Sequence, residues 1–101
     1  MPVTVTLAGR AMTALISGEI DHHGAREIMN ALDREIDAAL PNRLELDLSG
    51  VTFMDSSGIA VLLRARRRLN ELDGKLIVRS IPTQPRKVLD AAGVGRIISL
   101  Q

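Results

Sequence analysis

The sequence predicts a single α/β domain with a mixed, mostly parallel sheet, an N-terminal hairpin and helices mainly on one face. Three observations carry this. Val3, Val5 and Leu7 alternate with Thr4 and Thr6, a period-two strand, and after Gly9-Arg10 the stretch Met12–Ser17 reads as its hairpin partner. Two longer stretches then carry apolar residues at spacings of three and four. Strands separate and follow those helices, and such alternation favours parallel pairing with right-handed crossovers. Strand order does not follow from the pattern.

Gly18-Glu19-Ile20-Asp21-His22-His23 leads into a helix whose buried stripe is Ala25, Ile28, Met29, Leu32, Ile36 and Leu40, stopped by Pro41 and Asn42. Leu44, Leu46 and Leu48 alternate with Arg43, Glu45 and Asp47. This strand should show its polar face to water and is expected to break at Ser49-Gly50. A loop is expected through Phe53–Ser56, then a helix from about Ser57 to Asp73-Gly74 with Gly58, Leu62, Ala65, Leu69 and Leu72 inward. Lys75–Ser80 is a strand, Pro82 and Pro85 bracket a turn, Arg86–Ala92 is a short helix, and Ile97–Leu100 is a last strand.

Composition narrows the function. The 101 residues fit one domain, 1–101, and Phe53 is the only aromatic residue, so the core must be aliphatic. The same count argues against a surface that stacks nucleic-acid bases on aromatic rings. Absence of cysteine excludes disulfides, thiolate metal sites and cysteine nucleophiles. A net charge of +1 gives no general attraction to nucleic acid or membrane. No apolar run approaches a membrane span, and no signal peptide is visible, so a cytoplasmic protein is expected.

Asp55-Ser56-Ser57-Gly58 lies between a strand and a helix, at the carboxyl end of a parallel strand where sites commonly sit. The helix start offers unpaired amides and partial positive charge, so a hydroxyl there suits phosphorylation. Taken alone, the same residues also suit an ordinary N-cap with a glycine that permits close packing, and geometry admits either serine.

The segment Asp47-Leu48-Ser49-Gly50-Val51-Thr52-Phe53-Met54-Asp55-Ser56-Ser57-Gly58-Ile59 resembles the signature of STAS-domain anti-sigma factor antagonists. Gly18–His23 is similar to that family's approach to its first helix, and the element order matches from about residue 3 to residue 100. The sequence is most similar to the sporulation and stress-response antagonists. The resemblance implies a STAS-like fold and a partner switch without catalysis of its own. The unphosphorylated form binds an anti-sigma factor that is also a serine kinase, freeing a sigma factor. The kinase, which itself binds ATP, phosphorylates Ser56 and ends the binding, and a serine phosphatase reverses this. Asp21, Asp55, Ser57 and Gly58 are implied as partner contacts. Many relatives continue into a further C-terminal helix, whereas this chain stops at Gln101, which bears on partner choice.

His22 and His23 lack a third nitrogen ligand, so no metal or other cofactor is expected. The basic run Arg64-Ala65-Arg66-Arg67-Arg68 reads as a solvated face, with Arg67 able to pair with Glu71, or as a surface on which Arg64 and Arg67 dock an acidic partner. A serine hydrolase needs G-x-S-x-G, and Met54 stands where the first glycine belongs. The alternative role is that of a STAS accessory subunit of a transporter ATPase or a signalling scaffold.

Overall fold

Alternation pairs the first two strands as expected. In the computed structural model, which describes residues 2–101, β1 (Val3–Ala8) runs antiparallel to β2 (Ala11–Ile20) across the two-residue Gly9-Arg10 turn. The chain continues through α1 (His22–Ala39), β3 (Arg43–Met54), α2 (Ser56–Glu71), β4 (Lys75–Arg79), α3 (Thr83–Ala91), a 3-10 turn at Val94–Arg96 and β5 (Ser99–Leu100). The sheet order is β1-β2-β3-β4-β5, and every pair after the first is parallel.

Each crossover therefore joins neighbouring strands and advances in one direction. Right-handed crossovers of that kind place their helices on one face of the sheet. There, Met12, Ala14 and Ile16 of β2, Leu44, Leu46 and Leu48 of β3, and Leu76 and Val78 of β4 join Ile28, Leu32 and Ile36 of α1, Leu62 and Leu69 of α2, and Leu89 of α3 in one cluster. The core is wholly aliphatic and methionine, and among the described residues no polar or charged residue is buried. On the other face Arg79 lies 3.5 Å from Glu45 and 3.8 Å from Asp47. Ile77 is buried but stands outside the main cluster.

Several boundaries differ from expectation. β3 does not break at Ser49-Gly50 but runs on to Met54, beside a β2 that continues past Ser17 to Ile20. The extension is irregular: the register shifts between Leu15 and Ser17 and again between Gly18 and Glu19. Gly18, at φ 90°, supplies a backbone form that other residues resist. Gly50 allows the close approach, since a Cβ there would lie 3.0 Å from the Ser17 Cβ and 3.1 Å from the Ile16 carbonyl oxygen. Glycine marks a bulge here, where the sequence suggested an end.

α2 begins at Ser56 and not Ser57. α3 begins at Thr83, so Pro85 lies inside the helix and not at the far end of a turn. Proline is tolerated there because first-turn amides have no partner within the helix. Ile97 is outside any strand, and β5 is only Ser99–Leu100. Leu40 leaves the α1 stripe: it is the left-handed C-cap at φ 45° and 51% exposed, and Ala31 takes a buried place instead.

Candidate functional site

The long ends of β2 and β3 set the site. Ile20 pairs with Met54, and the Asp55 amide donates to the Ile20 carbonyl at 3.2 Å. The next residues, Asp21 and Asp55, thus leave the sheet side by side and each caps a helix. The Asp21 carboxylate accepts from the Gly24 amide at 2.8 Å, and the Asp55 carboxylate accepts from the Ser57 amide at 2.7 Å. Both caps are half-buried. Two helix N-termini, with their partial positive charge, therefore open at the same end of the sheet.

Ser56 is the first residue of α2 and is exposed; Ser57 is half-buried and its amide is already engaged by the cap. The Gly58 amide donates to the Asp55 carbonyl at 3.0 Å, closing the first turn. Gly58 is buried, and a Cβ there would come within 2.5 Å of the Met54 side chain, so α2 is seated directly on the end of β3.

One positioning residue had no signal in the sequence pattern. Gln84 of α3 holds both backbone groups of Met54: its Oε1 accepts from the Met54 amide at 2.8 Å and its Nε2 donates to the Met54 carbonyl at 2.7 Å. This paired clamp fixes the last strand residue before the Asp55 cap. Only its place thirty residues downstream, in an ordinary-looking Thr-Gln-Pro turn, hid it. Phe53, 41% exposed, presents the sole aromatic ring one residue before Met54.

The arginines further along α2 divide by partner. Arg64 forks onto Asp33 of α1, with Nη2 to Oδ2 at 2.7 Å and Nε to Oδ2 at 3.1 Å. Arg68 bonds Asp37 of α1 and lies 3.5 Å from Asp33 and from Glu71, so the expected Arg67–Glu71 pair is made by Arg68. Arg66 donates to the Ile97 carbonyl at 3.1 Å, and Arg67 is exposed. Acidic partners hold the guanidinium groups of Arg64 and Arg68 charged beyond their usual range. Along the outer side of α2, Ala60, Leu63, Arg66, Arg67 and Asn70, with the flank of Arg64, line an open concavity of about 440 Å³. Arg64 lies eight residues beyond Ser56, about 12 Å along the helix.

Asp47, upstream in the signature segment, is held below its ordinary pKa. Partial burial pushes it upward, but the Ser49 amide at 2.9 Å, the Ser49 hydroxyl and Arg79 outweigh that. His23 meets Glu27 at 2.8 Å on the surface of α1. Among the described residues no helix is long and apolar enough to cross a membrane.

The fold is a small α/β domain with an exposed serine at a capped helix start, over the end of a parallel strand. The chain belongs to the STAS domain family, whose model matches residues 3–101. A relative described as an anti-sigma F factor antagonist, from Lysinibacillus sphaericus, is 32% identical over 78 residues, which is 77% of this chain and 67% of the relative. The fold matches that of the anti-sigma factor antagonist SpoIIAA in its unphosphorylated form, with a TM-score of 0.81 at 24% identity over 98% of this chain and 87% of that one. It also matches the Bacillus cell fate determinant SpoIIAA in its phosphorylated form, with a TM-score of 0.73 at 23% identity over 98% of this chain and 90% of that one.

Proposed function

We propose that this STAS domain is an anti-sigma factor antagonist whose binding is switched by phosphorylation of Ser56. The observation that carries the reading is the contrast between the two serines: Ser56 is exposed at the first position of α2, whereas Ser57 is half-buried with its amide engaged. The unphosphorylated chain binds an anti-sigma factor that is also a serine kinase, in the cytoplasm, and so frees a sigma factor. Asp21, Asp55, Ser57 and Gly58 surround the contact, and the concavity with Arg67 and exposed Leu63 extends it along α2.

The switch needs no refolding. A phosphate adds a charge of about −1.5 to −2 at neutral pH. The Ser57 amide is already taken by Asp55, so the new charge stands beside a carboxylate and faces outward. A partner pressed against it meets repulsion and the cost of stripping water from the phosphate. About 3 kcal/mol of such penalty lowers affinity roughly a hundredfold. The kinase supplies ATP, and a serine phosphatase returns the chain to its binding form.

The test is to isolate the chain from its own cells, map phosphate by peptide mass spectrometry before and after phosphatase treatment, and identify what co-purifies with Ser56→Ala and Ser56→Asp. A removable phosphate on Ser56, with an ATP-binding anti-sigma factor retained by Ser56→Ala and released by Ser56→Asp, is expected. Phosphate only at other residues, or a transporter ATPase as the bound partner, would overturn it.

A further inference from the structure

β1 closes one side of the sheet, and among the described residues no strand lies along its outer edge. The Ser17 amide donates to the Pro2 carbonyl at 2.9 Å, and the Gly9-Arg10 turn sets Ala8 against Ala11. In antiparallel pairs, alternate residues exchange both backbone bonds. Thr4, Thr6 and Ala8 therefore bond β2, while Val3, Val5 and Leu7 direct their amides and carbonyls to the open edge.

Proteins ordinarily blunt such an edge with a charge, a proline, a bulge or a covering segment. Val3–Ala8 reads VTVTLA and carries neither charge nor proline. Its register with β2 is unbroken, and the sheet's irregularities lie between β2 and β3 instead. Leu7, on the same side of the strand as Val3 and Val5, is 56% exposed.

The strand is complementary to itself. Two copies set antiparallel about a two-fold axis at Val5 place Val5 against Val5, Val3 against Leu7 and Thr4 against Thr6 of the second copy. Each outward amide then meets a carbonyl. The apolar residues form one row on the helix side, with Leu7 beside Val3 of the other copy, and the threonines pair on the open side. The far edge of the sheet offers no comparable template, because β5 has 2 residues. A β1-to-β5 contact would also be head to tail and would not give a two-fold dimer.

We propose that β1 is a self-association edge through which two copies of this chain form a closed dimer with one continuous sheet. Antiparallel pairing reverses the sheet direction across the axis. The two Ser56 sites therefore lie at opposite ends, clear of the interface, and the proposal stands apart from what Ser56 binds.

The test is sedimentation velocity on the full chain from micromolar to millimolar concentration, with three variants checked for folding by circular dichroism and thermal melting. Val5→Pro removes an amide that would bond across the axis and none that bonds β2. Thr4→Lys with Thr6→Lys sets like charges opposite one another between copies, whereas Thr4→Lys with Thr6→Glu sets opposite charges there. The expected result is a concentration-dependent dimer, weakened at least about tenfold by Val5→Pro and by the double lysine variant and kept by the mixed-charge variant. A monomer at every concentration overturns the proposal, as does a dimer that both the proline and the double lysine variant leave intact.

Discussion

The two long helices begin on the same pattern and are used differently. Asp21-His22-His23-Gly24 opens α1 and Asp55-Ser56-Ser57-Gly58 opens α2, each an aspartate cap followed three residues later by a tightly packed glycine. What lies beneath the glycine differs. A Cβ on Gly24 would stand 2.2 Å from the Glu19 carbonyl oxygen, a fixed backbone atom, whereas on Gly58 it would meet the Met54 side chain. The exposed residues differ too: α1 presents an imidazole paired with Glu27, and α2 presents the hydroxyl of Ser56. Capping alone therefore does not make a site. The glycine at the start of α1 lies against backbone, and the start of α2 combines an exposed hydroxyl with a buried methionine side chain underneath.

The glycines break this comparison most sharply. Gly24→Ala should destabilise the domain by about 2 kcal/mol, because backbone must move to admit a methyl group. Gly58→Ala should cost less, about 1 kcal/mol, since the buried Met54 side chain and not backbone must shift, and alanine's helix preference offsets part of the overpacking. Denaturant unfolding of both variants measures the difference, and equal losses would remove the distinction between the two helix starts.

Gln84→Ala comes next. It leaves the Met54 amide and carbonyl without their partner and should cost about 1–2 kcal/mol. Amide hydrogen exchange should rise at Met54 and Asp55 while residues 21–24 keep their protection; a uniform rise would mean that the clamp serves the whole sheet.

Removing the caps should be nearly symmetric. Asp21→Ala and Asp55→Ala should each lose about 1 kcal/mol in thermal unfolding. The asymmetry should appear in binding, where only Asp55 adjoins the serine in sequence.

The smallest effect concerns Asp47, in the strand that leads to the α2 start. Its folded pKa is depressed, burial being outweighed by the Ser49 amide and hydroxyl and by Arg79. Its contribution to stability is therefore present above the unfolded value, about 4, and is lost as pH falls through the lower folded value. Asp47→Asn should therefore lower stability at neutral pH by less than about 1 kcal/mol, and the difference from the unsubstituted chain should shrink as pH falls below about 4. Urea midpoints of both chains at neutral pH and in acid test it; a deficit that grows in acid would reverse the assignment.

Much of the site and fold could be read from local pattern. The period-three-and-four stripes of Ile28, Leu32 and Ile36 and of Leu62, Ala65 and Leu69 placed both long helices correctly, and Leu44, Leu46 and Leu48 placed the central strand. The lone aromatic residue implied an aliphatic core, which is what fills the domain. Asp55 and Ser56 were marked by their place before a helix, and resemblance chose between the two serines. These features depend on neighbours within one or two turns of chain, where propensity and side-chain period act.

What only the tertiary structure decided involves partners far apart in sequence. Glycine at 50 reads locally as a stop, yet contact with the Ser17 region makes it a bulge that carries β3 on to the site. Gln84 meets Met54 from 30 residues away, and Arg64 and Arg68 meet Asp33 and Asp37 from 31 residues away. Without those acids, Arg64 reads as an unpaired cation; with them it ties two helices together. The sequence by itself determined which faces are apolar, because that is a property of spacing. The fold decided which polar groups are spoken for, because a hydrogen bond requires two atoms about 3 Å apart, and no local period states where the second one lies.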